Sequence, residues 1–268
     1  MARKARLDAE LVRRGLARSR DHAAELIAAG AVRVAGQQAS KPATGVDAGT
    51  PVIVVETDTG PNYASRGGHK LVGALEAFAP GGLTVKGKRC LDAGASTGGF
   101  TDVLLRSGAE RVIAVDVGYG QLAWPLRTDE RVTVIDRTNV RTLTPEVIGG
   151  PAALTVADLS FISLRLVLPA LAACTEPDGD LVPMVKPQFE VGRERLGSGG
   201  VVRDPALRAE AVLAVAAEAA TMGLGVAGVV ASPLPGPSGN VEFFLWLRRG
   251  APAADPEDVR RTVEEASG

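Results

Sequence analysis

Four charged residues stand where apolar runs begin or stop. Asp158 follows the run in "ALTVADLSF", Lys186 closes "LVPMVK", Glu242 heads "VEFFLWLR", and Lys70 opens the run after "SRGGH". A charge at the end of a buried strand is costly unless it is paired or solvated. An edge ion pair or a helix cap would account for any one of them, but strains to cover all four. Ligands of an open α/β sheet bind outside the carboxyl ends of its parallel strands. Asp158 and Lys186 then face one crevice. Glu242 joins them if the last strand runs antiparallel and begins at the same edge.

A second chemistry-bearing stretch is "CLDAGASTGGFT". A strand runs into a glycine-rich turn and then a helix, which lets a ligand approach backbone N–H groups. The spacing departs from the dinucleotide fingerprint, because Ser96 follows Gly94 and the next glycines are Gly98 and Gly99. Asp92 at the strand end would repel a pyrophosphate and suits a cation. One strand later, "VIAVDVG" ends in Asp116, placed to bond both hydroxyls of an unphosphorylated ribose. The bland alternative is a tight turn with a capping acid. Two acids at successive strand ends favour S-adenosylmethionine, which carries a sulfonium and an ammonium but no phosphate. The expected pocket comprises Asp92, Gly94, Ala95, Ser96, Gly98, Gly99, Phe100, Asp116, Val117, Asp136 and Asp158.

The elements that must position these residues follow from periodicity. The first 58 residues read as two short helices, "LDAELVRRGL" and "SRDHAAELIAAG", with Ser19 as N-cap and Gly30 as stop. Strands "AVRVAG" and "PVIVVE" follow, and residues 59–64 form a linker broken by Gly60 and Pro61. From Ser65 helices and strands alternate. Helices are expected at "KLVGALEAF", "GFTDVLLRSG", "GQLAWPLR", "TPEVIG", "LRLVLPALAAC" and "PALRAEAVLAVAAEAATMG". Strands are expected at "RCLDAG", "RVIAVDVG", "VTVID", "ALTVADLS", "DLVPMVK", "GVAGVVAS" and "VEFFLWLR". This predicts an α/β domain over 65–250 with a seven-stranded, mostly parallel sheet, helices on both faces and one antiparallel strand at the end. Residues 251–268 are expected as a tail with a short, frayed helix.

The 268 residues carry a net charge of −1. That balance hides an asymmetry. Residues 1–41 hold nine Lys/Arg against four acids, and the remainder is net −6. A basic head on an acidic body suggests that the head meets a polyanion, the alternative being a solvated basic helix. No apolar run approaches a membrane span and no secretory signal is read, so a cytoplasmic protein is expected. Cys90 and Cys174 lie far apart with few His to join them, which argues for two buried thiols and against a metal site.

The head, "RLDAELVRRGLARSRDHAAELIAAGAVRVAG" with "KPA" following, resembles the small RNA-binding module named after ribosomal small-subunit protein S-four. Its elements stand as Arg6-Leu7-Asp8, Ser19-Arg20, Ala24, Ile27, Gly30, Val32 and Val34. Ala35 occupies a position where Asn before Gly36 is more usual, so a slightly different turn is expected. The body, through "SRGGHKL", "LDAGASTGGFT", "DVGYGQL", "ADLSFISL", "VKPQFE" and "SPLPGPSGNVEFFLWL", resembles the FtsJ-like ribose 2′-O-methyltransferases. Together they resemble the TlyA family of hemolysin-type ribosomal RNA methyltransferases over nearly the whole chain.

The resemblance implies a class I, Rossmann-like methyltransferase fold behind a small α+β RNA-binding domain. It also implies S-adenosylmethionine as donor and transfer to cytidine 2′-hydroxyls of 16S and 23S ribosomal RNA. The family's Lys-Asp-Lys-Glu tetrad falls on Lys70, Asp158, Lys186 and Glu242. A 2′-hydroxyl is a weak nucleophile that needs orientation and a proton acceptor. Lys186 is expected as the base or as the group that steers the oxygen, with Lys70 lowering its pKa and the two acids fixing the ammonium. Arg3, Arg6, Arg18, Arg20 and Lys41 are expected to grip RNA through phosphates. The partner is ribosomal RNA or a ribosomal subunit, with no DNA, no membrane and no metal, and the chain is expected to be a monomer.

Rival readings are a membrane-lytic protein, a non-catalytic ribosome-assembly factor, an NAD enzyme and a pseudouridine synthase. The first lacks a lytic helix and the second does not need the four strand-end charges. The third lacks the middle glycine and the fourth lacks its catalytic-Asp segment. His22 and His69 are expected at the surface or behind the site. Phe243 and Trp246 are expected in the core, and packing is the favoured role for Phe161 and Phe189. "GRERLGSGGVVRD" spans the active edge as a lid or a plain connection.

Overall fold

A computed structural model describes residues 5–17, 19–28, 30–47, 49–54, 62–236 and 239–266. The chain divides into Met1–Asn62 and Tyr63–Gly268.

The first unit contains β1 (Ala5–Arg6), α1 (Leu7–Arg13), α2 (Arg20–Ala28), β2 (Val32–Val34), β3 (Gln37–Gln38), β4 (Gly45–Val46) and β5 (Val52–Val54). Leu7 and Leu11 on α1 meet Ala23 and Ile27 on α2 over Val32, Val46 and Val52, and this small core holds the unit together. The expected cap and stop are present: Ser19 Oγ accepts the His22 N–H and Gly30 has φ 71°. Strands β2 and β3 pair through Val34 and Gln37, so Ala35 and Gly36 form a two-residue hairpin loop. Both adopt positive φ, 48° and 83°. That is the left-handed geometry that Asn-Gly serves well and alanine serves at a cost.

The second unit contains α3 (Gly67–Phe78), β6 (Arg89–Ala93), α4 (Gly99–Arg106), β7 (Arg111–Val115), α5 (Trp124–Arg127), β8 (Val132–Ile135), β9 (Ala152–Ala157) and α6 (Leu168–Ala173). After these come β10 (Thr175–Val185), α7 (Pro187–Glu190), α8 (Pro205–Thr221), β11 (Leu224–Ala231), β12 (Phe243–Arg249) and α9 (Pro256–Glu265). The seven strands run in the order β11-β12-β10-β9-β6-β7-β8. Strand β12 is antiparallel to both neighbours, while the other pairings are parallel. Alternate residues of β12 face opposite layers. Phe243, Leu245 and Leu247 pack with α6, α8 and α9. Phe244 and Trp246 pack with α3 and α4. The chain progresses outward from β6 to β8, then restarts at β9 on the other side of β6. The crevice at the carboxyl ends of β6 and β9 is therefore the switch point where such folds bind ligands.

Five local expectations are corrected. "TPEVIG" forms turns rather than a helix. It spans fewer than two turns, too short to nucleate alone, and Arg89 takes the carbonyls of Ile148, Gly150 and Pro151 at its end and just beyond. "GQLAWPLR" shrinks to the four residues of α5, because Pro125 is tolerated only in a helix's first turn. "LRLVLPALAAC" splits into a 3₁₀ turn at Leu164–Leu166 and α6. Within the expected tail the short helix forms as α9, and burial of Val259 and Val263 docks it on the core rather than leaving it frayed. Tyr63 and Ala64, expected in the linker, pack on the second unit. Asp102 accepts the Ala64 N–H at 2.8 Å, and the Arg106 guanidinium lies 5.0 Å from the Tyr63 ring centroid.

Candidate active site

The turn after β6 is built by glycines that nothing else could replace. Gly94 has φ 89°, and a Cβ there would lie 2.5 Å from the Asp158 carbonyl oxygen. Gly98 has φ 99°, and its Cβ would meet Leu126 at 2.3 Å. The turn thus presses on the segment that leaves β9, and Asp158 donates its N–H to Ala93 at 3.0 Å. Donor-side and acceptor-side residues share one wall.

Acids line this turn. Asp92 is wholly buried and its Oδ2 accepts the Thr101 hydroxyl at 2.7 Å. Its Oδ1 has no hydrogen-bond partner among the described residues. Burial pushes the Asp92 carboxyl up to about 7, with Asp158 adding to the shift and Thr101 opposing it. Asp116 Oδ2 accepts the Ser96 N–H at 2.8 Å and Oδ1 the Gly118 N–H at 2.7 Å. Each carboxylate oxygen keeps a lone pair for a further donor. Ser96 takes φ 47°, which turns its N–H onto Asp116. Val117 beside it is 74 % exposed. Asp136 accepts the Gly120 N–H at 3.2 Å and pairs with Arg127 at 3.0 Å. Phe100 turns into the core against Phe244 at 6.0 Å, so its side chain supports the turn from behind. A ligand fits here if it brings positive charge to Asp92 and hydroxyl donors to Asp116.

The four strand-end charges form two ion pairs at the same edge. Val185 pairs with Phe243 across β10 and β12, so the register sets Lys186 opposite Glu242 just beyond the ladder. Lys186 Nζ lies 2.6 Å from Asp158 Oδ1 and donates to Ser160 Oγ at 2.9 Å. Lys70 Nζ donates to Glu242 Oε2 at 2.5 Å. Lys186 is only 6 % exposed. Its charge is answered by Asp158 and Ser160, while Glu242 answers Lys70. Glu242 is fully buried and its Oε1 lacks a partner among the described residues. Gly236 packs so closely on this carboxylate that a Cβ would meet it at 2.2 Å.

Two residues escaped the sequence reading, and a third, Phe161, was read with packing favoured and base stacking as the alternative. Ser160 holds Lys186, and its only sequence signal is its place two residues after Asp158. Glu190 closes α7 with its carboxylate on Ser163, Leu164 and Arg165. Phe161, expected to pack, is 92 % exposed with φ 65°, and its ring centroid lies 5.4 Å from that of Phe189. Phe243 and Trp246 are core residues as expected. In the first unit Asp8 receives Arg6 at 2.9 Å and Arg20 at 2.9 Å, which holds the Asp8 carboxyl well below the usual range, Arg6 contributing most. Lys41 is exposed. Arg3 and Arg18 lie outside the described residues.

Residues 63–249 match the FtsJ-like methyltransferase family and residues 5–52 match the S4 domain. The chain is 64 % identical to the 16S/23S rRNA (cytidine-2′-O)-methyltransferase TlyA of Mycobacterium tuberculosis, over 99 % of each chain. It is 36 % identical to Hemolysin A of Brachyspira hyodysenteriae, over 89 % of this chain and 98 % of that one. A solved hemolysin-named protein of Streptococcus thermophilus superposes with a TM-score of 0.78 at 39 % identity, covering 99 % of this chain and 96 % of that one. With its FtsJ-like body and its S4 domain, the chain belongs to the TlyA family of methyltransferases.

Proposed function

We propose that this chain transfers a methyl group from S-adenosylmethionine to the ribose 2′-hydroxyl of cytidine in 16S and 23S ribosomal RNA. The observation that carries the reading is the pair of ion pairs at the sheet edge, Lys186–Asp158 and Lys70–Glu242, directly against the acid-lined glycine turn. The family and the named activity of the mycobacterial relative support it.

The residues of the turn fit the donor. Asp92 Oδ1 is an orphaned buried acceptor that a cation would satisfy, and Asp116 retains acceptor capacity for a ribose diol. Val117 and Asp136 flank that end. When bound, S-adenosylmethionine supplies an electrophilic methyl carbon.

On the acceptor side, two of the three Lys186 ammonium protons go to Asp158 and Ser160. The third is left to aim a lone pair of the ribose oxygen, so we assign Lys186 the steering role, and the hydroxyl proton leaves to solvent past the Asp158 carboxylate, whose side chain is 25 % exposed. Lys70 and Glu242 neutralise each other behind it, and their part is to hold the edge in register rather than to repel a proton from Lys186. Phe161 offers an exposed ring beside the site, suited to stacking a nucleobase. In the first unit Arg6, Arg20 and Lys41 supply phosphate contacts. We place the protein in the cytoplasm as a monomer acting on ribosomal RNA, with no DNA or membrane partner. No helix of the described residues is long and apolar enough to cross a membrane.

Separated subunits that lack the modification, incubated with labelled donor and digested to nucleosides, test this. Label in 2′-O-methylcytidine is expected. Label in a base, or none on either subunit, contradicts it.

A further inference from the structure

Two segments carry the acceptor side of the site, and they are stitched together twice. The first stitch is Lys186, whose Nζ reaches Asp158 and Ser160. The second lies four residues on, where the Glu190 carboxylate accepts the Ser163 hydroxyl at 2.6 Å and the Leu164 N–H at 2.7 Å. Arg165 adds a longer contact at 3.4 Å. The Glu190 side chain is 1 % exposed, so these bonds are its solvation.

Phe161 lies between the two stitches. It is a non-glycine residue at φ 65°, a conformation that persists only where neighbouring structure enforces it. The pin at Ser160 comes from Lys186, and the pin at Ser163 and Leu164 comes from Glu190. Without the second, the loop can relax toward an ordinary backbone, carrying Ser160 and Asp158 off Lys186.

We propose that Glu190 is a positioning residue for methyl transfer: by holding Ser163 and Leu164 it keeps Asp158 and Ser160 on the Lys186 ammonium and keeps Phe161 turned outward. The inference rests on Lys186 being the group that handles the ribose hydroxyl. Glu190 touches no reacting atom. Its requirement is for acceptors at a set place, which glutamine supplies in part through Oε1 on the Leu164 N–H and alanine does not supply at all.

The test is single-turnover methyl transfer to ribosomal subunits at saturating RNA and donor, with donor affinity measured by calorimetry on the same preparations. Glu190→Ala should lower the rate by roughly 30- to 100-fold, the scale of a misalignment of about 1 Å. Its donor affinity should fall by much less than the rate, because Asp92 and Asp116 keep their own partners while only Asp158, which borders both sides, shifts. Glu190→Gln should recover most of the rate. A Glu190→Ala rate within threefold of the parent would overturn the proposal. So would a parallel loss of donor binding, which marks a merely structural role, or a glutamine variant as slow as the alanine one. Failure of the parent protein itself to methylate ribose would instead strike the reading on which the inference rests.

Discussion

Asp92 carries a consequence that can be measured without RNA. Its carboxyl titrates near 7 in the folded chain against an ordinary 3.8. The folded protein therefore holds a proton that the unfolded chain releases. The stability from this group is complete below about pH 4 and is lost as pH rises through about 7. Asp92→Asn removes the titration. The variant's melting temperature should gain on the parent's between pH 5 and pH 8, by roughly 5 °C, read from matched thermal scans. A cation beside Asp92 favours the ionised carboxylate, so donor affinity should climb through pH 7 in the parent. In Asp92→Asn the affinity should fall about tenfold and lose that climb. Equal scans at all pH values would remove Asp92 from the account.

At the scale of elements, the hairpin turn at Ala35-Gly36 gives a direct check. Alanine at φ 48° is strained where asparagine is tolerated. Ala35→Asn should stabilise the first unit by about 0.5–1 kcal/mol in denaturant unfolding. The elements that periodicity reveals are those whose apolar faces are long and regular, such as α3, α8 and the strands β6, β7 and β9. Asp92, Asp116, Asp158, Lys186 and Glu242 were legible because each follows or heads such a run. The six residues of "TPEVIG" were not, because Arg89, 59 residues earlier in sequence, takes the Ile148 carbonyl near their end. Ser160 and Glu190 were invisible for the same reason. Their partners lie 26 and 27 residues away, and only the sheet register brings them together. For Phe161 packing was favoured over base stacking because a large aromatic is usually buried, and no local signal marks its exposure or its strained backbone.

For the molecule as a whole, the basic excess of residues 1–41 and the acidic excess of the remainder separate two tasks. On the proposed function, the basic residues of the first unit would meet phosphate and the acids of the second would hold the donor. Arg20 is exposed although it pairs with Asp8, and Arg6 can keep Asp8 satisfied if Arg20 is lost. The double variant Arg20→Ala with Lys41→Ala should then bind RNA about tenfold more weakly. Its salt slope should be reduced by about two, with donor affinity unchanged. An unchanged slope would move the RNA contact elsewhere.

The central claim is that the paired charges at the sheet edge run the transfer, with Lys186 steering the ribose oxygen as a charged donor. The most direct measurement is the single-turnover rate of 2′-O-methylcytidine formation in Lys186→Ala and Lys186→Arg, both folded and both saturated with donor. The account predicts a loss of about 1000-fold or more in the alanine variant and a partial recovery in the arginine variant, which keeps the charge and N–H donors but cannot accept a proton. A Lys186→Ala rate equal to the parent's would contradict the claim outright, and an arginine variant as slow as alanine would contradict the steering role.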